Sequence, residues 1–216
     1  MVDFLVILGP PGSGKGTLSR QLQDKNRFIP LSTGEEIRKQ MADPASETGR
    51  LSAPYMDRGD YIPDSLALSL FYEILDPMPL ESRVALDGFP RTVPQADAFS
   101  EWVIRHGHRL LGCVFLDLAL EVAVRRMESR RVCPDCRCTY PRVAGEPAGK
   151  RCAVCGSLLM QREDDDPVRM QQRLLRHTEM TNPLRAWFGE RDRILELDAA
   201  QETETLRKQI VEKFNL

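Results

Sequence analysis

Short apolar runs alternate with longer amphipathic segments along most of the chain. The runs are rich in Val, Leu, Ile and Phe, whereas the segments between them repeat apolar residues every three or four positions, the period of an α-helix. We therefore predict strands at residues 4–8, 28–31, 84–86, 114–116 and 194–197. We predict helices at residues 14–26, 34–41, 65–75, 94–106, 120–130, 168–180 and 203–214.

This alternation of strands and helices is typical of a parallel sheet whose crossover connections are helical. We predict an α/β fold with a doubly wound, five-stranded parallel sheet and helices on both faces. Ligands of such sheets bind beyond the carboxyl ends of the strands. Two stretches interrupt the alternation: residues 32–62 are polar and helical, and residues 129–165 are rich in Cys, Pro and Gly. A loop of the second length needs a metal or a function to order it.

The length and charge of the chain limit the number of domains and the kinds of partner that we expect. A chain of 216 residues with 42% hydrophobic content suits one main domain with insertions. The 30 basic and 32 acidic residues give a net charge of -2, which does not favour nucleic acid or an anionic membrane. The apolar run at residues 4–8 is too short for a signal peptide, and no stretch approaches the roughly 20 apolar residues of a membrane span. We expect a cytoplasmic monomer that binds neither nucleic acid nor membrane.

Four of the six cysteines form two C-x-x-C pairs, Cys133 with Cys136 and Cys152 with Cys155. In a cytosolic protein this pattern indicates metal binding before disulfides. The 15 residues between the pairs let two knuckles converge on one tetrahedral ion. We predict a structural Zn²⁺, although iron or cobalt would fit the same thiolates. Two disulfide-prone pairs and a redox motif are the alternatives.

The strand at residues 4–8 runs into the sequence GPPGSGKGT, residues 9–17, which fits the P-loop pattern G-x-x-x-x-G-K. Its glycines let backbone N–H groups wrap a phosphate, and the following helix N-terminus adds partial positive charge. Lys15 is expected to reach the β- and γ-oxygens of a nucleotide. A P-loop usually has Ser or Thr directly after the lysine. Here Gly16 occupies that position, and Thr17 follows one position later. The alternative is a glycine-rich turn that merely joins a strand to a helix.

Two further motifs are STGEEIR, residues 32–38, and DGFPRTVPQ, residues 87–95. Together with the P-loop sequence, they resemble the adenylate kinase family, and the resemblance spans essentially the whole chain. It implies phosphoryl transfer between ATP and AMP, with ADP as product. It also implies that residues 32–62 are the AMP-binding segment and residues 129–165 a small metal-binding lid of the long, cysteine-bearing form. The P-loop core would then comprise residues 1–31, 63–128 and 166–216.

The resemblance implies a site for each nucleotide. The positions that match the ATP site are Gly12, Ser13, Gly14, Lys15, Gly16, Thr17, Arg126, Arg130, Thr139, Tyr140 and Gln201. The positions that match the AMP site are Thr33, Arg38, Asp60, Tyr61, Ile62, Gly88, Phe89, Pro90, Arg91, Gln95, Arg162 and Arg173. The implied catalytic residues are Lys15, Arg91, Arg130, Arg162, Asp164, Asp165 and Arg173, where the aspartates orient phosphate-binding arginines. Asp87 matches a carboxylate that holds the Mg²⁺ of ATP through water.

The chemistry of these residues agrees with that division. Arg38 and Arg91 each offer a planar fork to the AMP phosphate, and the amide of Gln95 offers a donor and an acceptor to adenine. Arg126 and Arg130 lie four apart on a predicted helix and so share one face. A phosphate monoester, with its second pKa at about 6, is largely dianionic at neutral pH and needs no general base. Catalysis is then positioning plus charge stabilisation.

Two positions differ from the family pattern, and two other functions remain as alternatives. Near Gln201, the family often has a glycine and a basic residue. At the position of Asp60, the family can have a basic residue, so we expect this segment to act through its backbone. A kinase for UMP or CMP, or one that uses GTP, keeps the same fold, but Thr33 and Gln95 favour adenine. A zinc-ribbon module for nucleic acid would need stacking aromatics, and the cysteine segment offers only Tyr140.

Overall fold

A computed structural model describes residues 1–58, 60–136, 138–141, 149–161 and 167–216, with backbone alone for residues 141 and 167–173. The strands are β1 Asp3–Leu8, β2 Phe28–Ser32, β3 Arg83–Asp87, β4 Arg109–Asp117, β5 Arg130–Val132, β6 Thr139–Pro141 and β7 Ile194–Asp198. The helices are α1 Lys15–Asn26, α2 Thr33–Ala42, α3 Glu47–Asp57, α4 Asp64–Leu75, α5 Val93–Arg105, α6 Leu120–Glu128, α7 Pro167–Gly189 and α8 Thr203–Phe214.

Five strands form a parallel sheet in the order β2-β3-β1-β4-β7. The central strand β1 pairs with β3 on one side and with β4 on the other. The chain builds the sheet first on the β3 side and then on the β4 side, so the loop after β1 lies where the winding changes direction. Such a switch point is the usual ligand site of a doubly wound sheet. The predicted five-stranded parallel sheet is confirmed.

The core has two layers because side chains alternate across β1. Phe4, Val6 and Leu8 pack on one face with apolar residues of α4, α5 and the second half of α7. Leu5 and Ile7 pack on the other face with residues of α1, α6 and α8. Burial on both faces explains why the strands read as continuous apolar runs rather than as alternating ones. Helices therefore cover both faces of the sheet, as predicted.

Two helix ends differ from the predictions by more than one residue, and one helix was not predicted. Helix α7 continues to Gly189 instead of ending at Met180, since Leu184 and Phe188 are fully buried in the core beyond Pro183. Helix α6 ends at Glu128, so position 130 begins β5 instead of closing a helix. Helix α3 is a separate element inside the polar stretch that the sequence left undivided.

The segment between β2 and β3 packs through a small cluster of its own. Ile37 on α2 and Ile62 before α4 are buried together with Ala67 and Leu70 of α4. Helix α3 approaches α2 so closely that a Cβ added at Gly49 would lie 2.1 Å from a backbone oxygen of α2. Across the described ranges, none of the helices combines the length and apolar character needed to cross a membrane.

Candidate active site

The loop that follows β1 has a backbone that requires glycine. Gly9, Gly12 and Gly14 have φ angles of 146°, 84° and 92°. A Cβ at Gly9 would lie 2.6 Å from the backbone oxygen of Leu116, and one at Gly12 would lie 2.9 Å from that of Ala123. Nothing lies within 4 Å of a Cβ built at Gly14, the residue that caps α1. The loop is thus held against the sheet and α6, while its turn into α1 has an open side where a phosphate can approach.

Lys15 is the first residue of α1, and its ammonium lies over the loop. Its Nζ donates to the backbone oxygens of Gly9 at 2.8 Å and Pro10 at 3.2 Å. Asp87 ends β3, one strand away, in register with Ile7. Burial raises the pKa of Asp87, and the nearby charges of Lys15 and Arg91 oppose that rise. A carboxylate and two cations therefore meet beyond the carboxyl ends of β1 and β3.

A cavity of about 530 Å³ opens at this edge of the sheet. Its volume lies in the range of small-molecule sites. The residues that line it include the following predicted site residues: Gly12, Ser13, Gly14, Lys15, Gly16, Thr17, Arg38, Asp60, Tyr61, Asp87, Gly88, Pro90, Arg91, Arg126, Arg130, Thr139, Tyr140 and Gln201. The structure thus brings together residues that were predicted from motifs far apart in the sequence.

Four residues predicted for the AMP site do not line the cavity. Thr33, Ile62, Phe89 and Gln95 are all buried. The Thr33 hydroxyl donates to the backbone oxygen of Asp87 at 3.1 Å, which ties the start of α2 to the end of β3. Phe89 and Ile62 instead pack in hydrophobic core clusters in this conformation.

Gln95 is hydrogen-bonded at both ends of its amide. Its Oε1 accepts from the backbone N–H of Arg91 at 2.8 Å, and its Nε2 donates to the Asp64 carboxylate at 2.7 Å. Its side chain belongs to α5, whereas Asp64 begins α4. The amide therefore joins two helices to the loop that carries Arg91.

Two arginines converge on the other part of the cavity. Arg38 donates to the backbone oxygen of Gly34 at 2.5 Å, and Arg91 Nε donates to that of Gly88 at 2.7 Å. A Cβ added at Gly34 would lie 3.2 Å from Arg38 and 3.9 Å from Arg91, so both guanidinium groups meet beside this glycine. Arg91 also lies over the ring of Tyr61, with 4.8 Å between its Cζ and the ring centroid. Such a pair of planar cations suits a phosphate dianion.

The arginines near the lid do not share a helix face, contrary to the prediction. Arg126 is on α6, but Arg130 is the first residue of β5. Arg126 donates to the backbone oxygens of Ala199 at 3.0 Å and Gly12 at 3.4 Å. It thereby joins the P-loop to the turn after β7, where Gln201 also lines the cavity. Both arginines nevertheless border the same space.

The four paired cysteines form one cluster. The Sγ atoms of Cys133, Cys136, Cys152 and Cys155 all lie within 4.8 Å of one another. Two of these separations, between Cys133 and Cys155 and between Cys136 and Cys152, are 3.3 Å. Four thiolates bound tetrahedrally at 2.3 Å place their sulfurs about 3.8 Å apart, so a small adjustment accommodates a metal ion. Cys138 is outside this group, which was sought among the described residues only.

Tyr140 connects the cysteine cluster to the cavity. Its hydroxyl lies 3.2 Å from the Sγ of Cys152, and it also accepts from the backbone N–H of Ala153 at 3.2 Å. The hydrogen bond from this hydroxyl lowers the pKa of the Cys152 thiol. A lowered pKa favours the thiolate, which is the form that binds metals.

Comparison with known proteins identifies the family. The adenylate kinase family model matches residues 7–193. The chain belongs to the adenylate kinase family. It is 35% identical to an adenylate kinase of Moorella thermoacetica, and the match covers 91% of each chain. It is 32% identical to an adenylate kinase of Petrotoga mobilis over 98% of this chain and 96% of that one. The predicted resemblance and the class of phosphotransferase are confirmed.

Several predicted catalytic residues fall on parts of the chain that carry no description. Arg162, Asp164 and Asp165 lie outside the described residues. Arg173 belongs to α7, but its side chain is not described. The roles predicted for these four residues stay predictions.

Sequence reasoning missed a wall of the cavity that α7 provides. Its lining residues on that helix are Arg176, His177, Met180 and Thr181. Arg176 forms an ion pair with Asp60, which also pairs with Arg58 at 2.9 Å. We expected the stretch at Asp60 to act through its backbone. In the structure, the side-chain carboxylate of Asp60 connects the segment before α4 to α7. The one available signal was helical spacing, because residue 176 follows the predicted Arg173 by three positions and so lies beside it.

Proposed function

We propose that this chain catalyses the reversible, Mg²⁺-dependent transfer of the γ-phosphoryl group of ATP to AMP, which forms two ADP and maintains the adenine nucleotide balance. The observation that supports it best is the shared cavity, into which a P-loop lysine and a converging arginine pair both project. One set of groups suits the phosphates of a donor, and the other suits the single phosphate of an acceptor.

The donor phosphates would bind over the P-loop. Backbone N–H groups at the start of α1 and the ammonium of Lys15 supply positive charge there. Arg126 and Arg130 extend this positive charge from α6 and β5. Thr139 and Tyr140 border the same side from the hairpin of β5 and β6. The adenine of ATP would then lie towards the turn that holds Gln201.

The acceptor phosphate would bind between Arg38 and Arg91. Their guanidinium groups meet beside Gly34, where the lack of a side chain leaves room for a ligand. The backbone hydrogen bonds of both arginines hold these cations in place before a ligand arrives. Preorganised cations need little rearrangement to stabilise charge in a transition state.

Phosphoryl transfer between these two sites requires alignment more than proton transfer. The AMP phosphate is itself the nucleophile, and the cavity's cations would stabilise charge on the equatorial oxygens of the transferred group. Asp87, half-buried beside Lys15, would hold the Mg²⁺ of ATP through water. That ion supplies further neutralisation of phosphate charge. Arg162, Arg173, Asp164 and Asp165 would complete the charged site from the lid and α7.

We also propose that Cys133, Cys136, Cys152 and Cys155 hold a structural Zn²⁺. The cluster of sulfurs and the hydrogen bond from the backbone N–H of Cys136 to Cys133 Sγ at 3.5 Å support this assignment. Four thiolates fill a tetrahedral shell, so the ion would order the lid and take no part in the chemistry. We assign residues 129–165 to this lid and residues 32–62 to the AMP-binding segment. Both would close over bound substrates and exclude water.

The test is an acceptor panel measured under one set of conditions. ADP formation from ATP is followed with AMP, GMP, UMP and CMP in turn, and GTP then replaces ATP as donor. The highest kcat/KM should belong to ATP with AMP. Equal use of UMP or CMP would move the assignment to another nucleoside monophosphate kinase. The predicted cytoplasmic location and monomeric state stay predictions.

A further inference from the structure

Asp64 makes a contact that its place in the helix does not require. It begins α4, where an acidic side chain ordinarily serves the free N–H groups of its own first turn. Its carboxylate instead accepts a hydrogen bond at 2.7 Å from Nε2 of Gln95, 31 positions away on α5. The same glutamine accepts from the backbone N–H of Arg91 through its Oε1.

These two partners fix the orientation of the Gln95 amide by chemistry alone. An ionised carboxylate can only accept a hydrogen bond, and a backbone N–H can only donate one. Rotating the amide by 180° would set its oxygen against the carboxylate of Asp64 and its NH₂ against the N–H of Arg91. Gln95 is only 3% exposed, so water cannot relieve either mismatch. Asp64 and Arg91 thus hold the amide from opposite ends.

The orientation matters because one N–H and one oxygen lone pair of the amide are not used by these contacts. Adenine presents an N6–H donor beside its N1 acceptor. A 6-oxopurine presents the reverse, with an O6 acceptor beside an N1–H donor. An amide held in one orientation can match one of these two patterns at a given position, whereas a rotated amide would match the other.

We propose that Asp64 is a positioning residue that sets acceptor specificity, since it holds Gln95 in the orientation that pairs with adenine and opposes 6-oxopurines. This inference rests on the proposed use of AMP as acceptor. Neither Asp64 nor the buried Gln95 lines the cavity in this conformation, and Asp64 acts through Gln95. A base with the wrong hydrogen-bonding pattern would leave polar groups of the site unpaired, and a site rejects such a base more strongly than one that differs only in apolar contacts.

The experiment compares AMP with IMP, whose base is a 6-oxopurine, as acceptors for the wild type and three variants. Asp64→Ala removes the acceptor for Nε2, Asp64→Ser leaves only a hydroxyl one bond closer to the backbone, and both residues are compatible with a helix. Each should lower the ratio of kcat/KM for AMP to that for IMP by about tenfold, mainly through KM, because one of two anchors is lost. Asp64→Asn keeps an oxygen that can accept, so its ratio should stay within about threefold of the wild type.

Glu47→Ser is the matched control. Glu47 is an acidic residue in the first turn of α3, also between β2 and β3, and its side chain is 77% exposed beside Arg50. Its removal should leave the ratio unchanged. A purely structural role for Asp64 would lower thermal stability without changing base preference, so an unchanged ratio in folded Asp64→Ser and Asp64→Ala would overturn the proposal.

A measurement on the wild-type protein covers the case in which no variant folds. Nuclear magnetic resonance of the Gln95 side chain should show an Nε2 hydrogen protected from solvent exchange, and rapid exchange of both hydrogens would overturn the proposal. The two proposals also fail in different ways. Absence of ADP formation from ATP and AMP in the wild type refutes the proposed function. AMP use that is as selective without Asp64 as with it refutes only the role of Asp64.

Discussion

Replacing Lys15 by methionine removes the cation at the centre of the proposed phosphate site while keeping a flexible, helix-compatible side chain. The ammonium lies 2.8 Å and 3.2 Å from two loop oxygens, at the first residue of α1. We expect Lys15→Met to abolish most phosphoryl transfer and to leave the fold intact.

The magnitude follows from what the ammonium does in each state. Removing one preorganised group that stabilises transition-state charge typically lowers kcat by about 10²–10³. The loss of two hydrogen bonds in the resting protein costs about 1 kcal/mol of net stability each. For a chain of this size, a loss of about 2 kcal/mol lowers Tm by roughly 4–8 °C. Activity should therefore fall far more than stability.

The assay follows ADP formation from ATP and AMP, together with thermal unfolding by circular dichroism. Lys25→Met is the matched control, since Lys25 lies on the same helix but is half-exposed and pairs with Glu204 on α8. Its kcat should stay within about twofold of the wild type, as expected for a surface ion pair. A folded Lys15→Met variant with near-normal kcat would refute the reasoning about the P-loop.

Three further predictions concern other parts of the site. Arg91→Ala should raise KM for AMP and lower kcat while ATP affinity in titrations stays nearly unchanged; an equal loss of ATP binding would show that the acceptor site is misassigned. Cys152→Ser, or chelation, should release about one equivalent of metal per chain and destabilise the lid while the core stays folded; metal analysis that finds no ion in protein purified under reducing conditions would contradict this. Asp60→Asn removes the ion pairs with Arg176 and Arg58, so KM for AMP should rise by no more than about fivefold; because salt screens partly exposed pairs, the effect should shrink in 1 M salt, and an effect that persists there would contradict it.

The parts of the fold that could be predicted are those that depend on local sequence patterns. The P-loop was recognisable because its glycines, lysine and flanking elements are contiguous in sequence. The two-layer core followed from continuous apolar strands. The end of α7 was missed because Asn182 and Pro183 are typical of a helix terminus, whereas burial of Leu184, Trp187 and Phe188 in the core favours continued helix. Tertiary packing there overrides a local signal.

Contacts between distant residues could not be predicted from the sequence. Asp60 forms an ion pair with Arg176 at the cavity, and no periodic pattern relates two positions so far apart in sequence. The hydrogen bond from Gln95 to Asp64 likewise joins two helices across 31 positions. Sequence could assign Gln95 to a base, but the structure was needed to show that both ends of its amide are already held.

The most direct test of the proposed reaction is phosphorus nuclear magnetic resonance of the full chain with Mg²⁺ and unlabelled nucleotides. Starting from equal ATP and AMP, we expect two ADP for each AMP consumed, without inorganic phosphate. Starting from ADP alone, we expect equal amounts of ATP and AMP. Inorganic phosphate released in step with ADP would show hydrolysis instead of transfer, and that result would refute the proposed reaction.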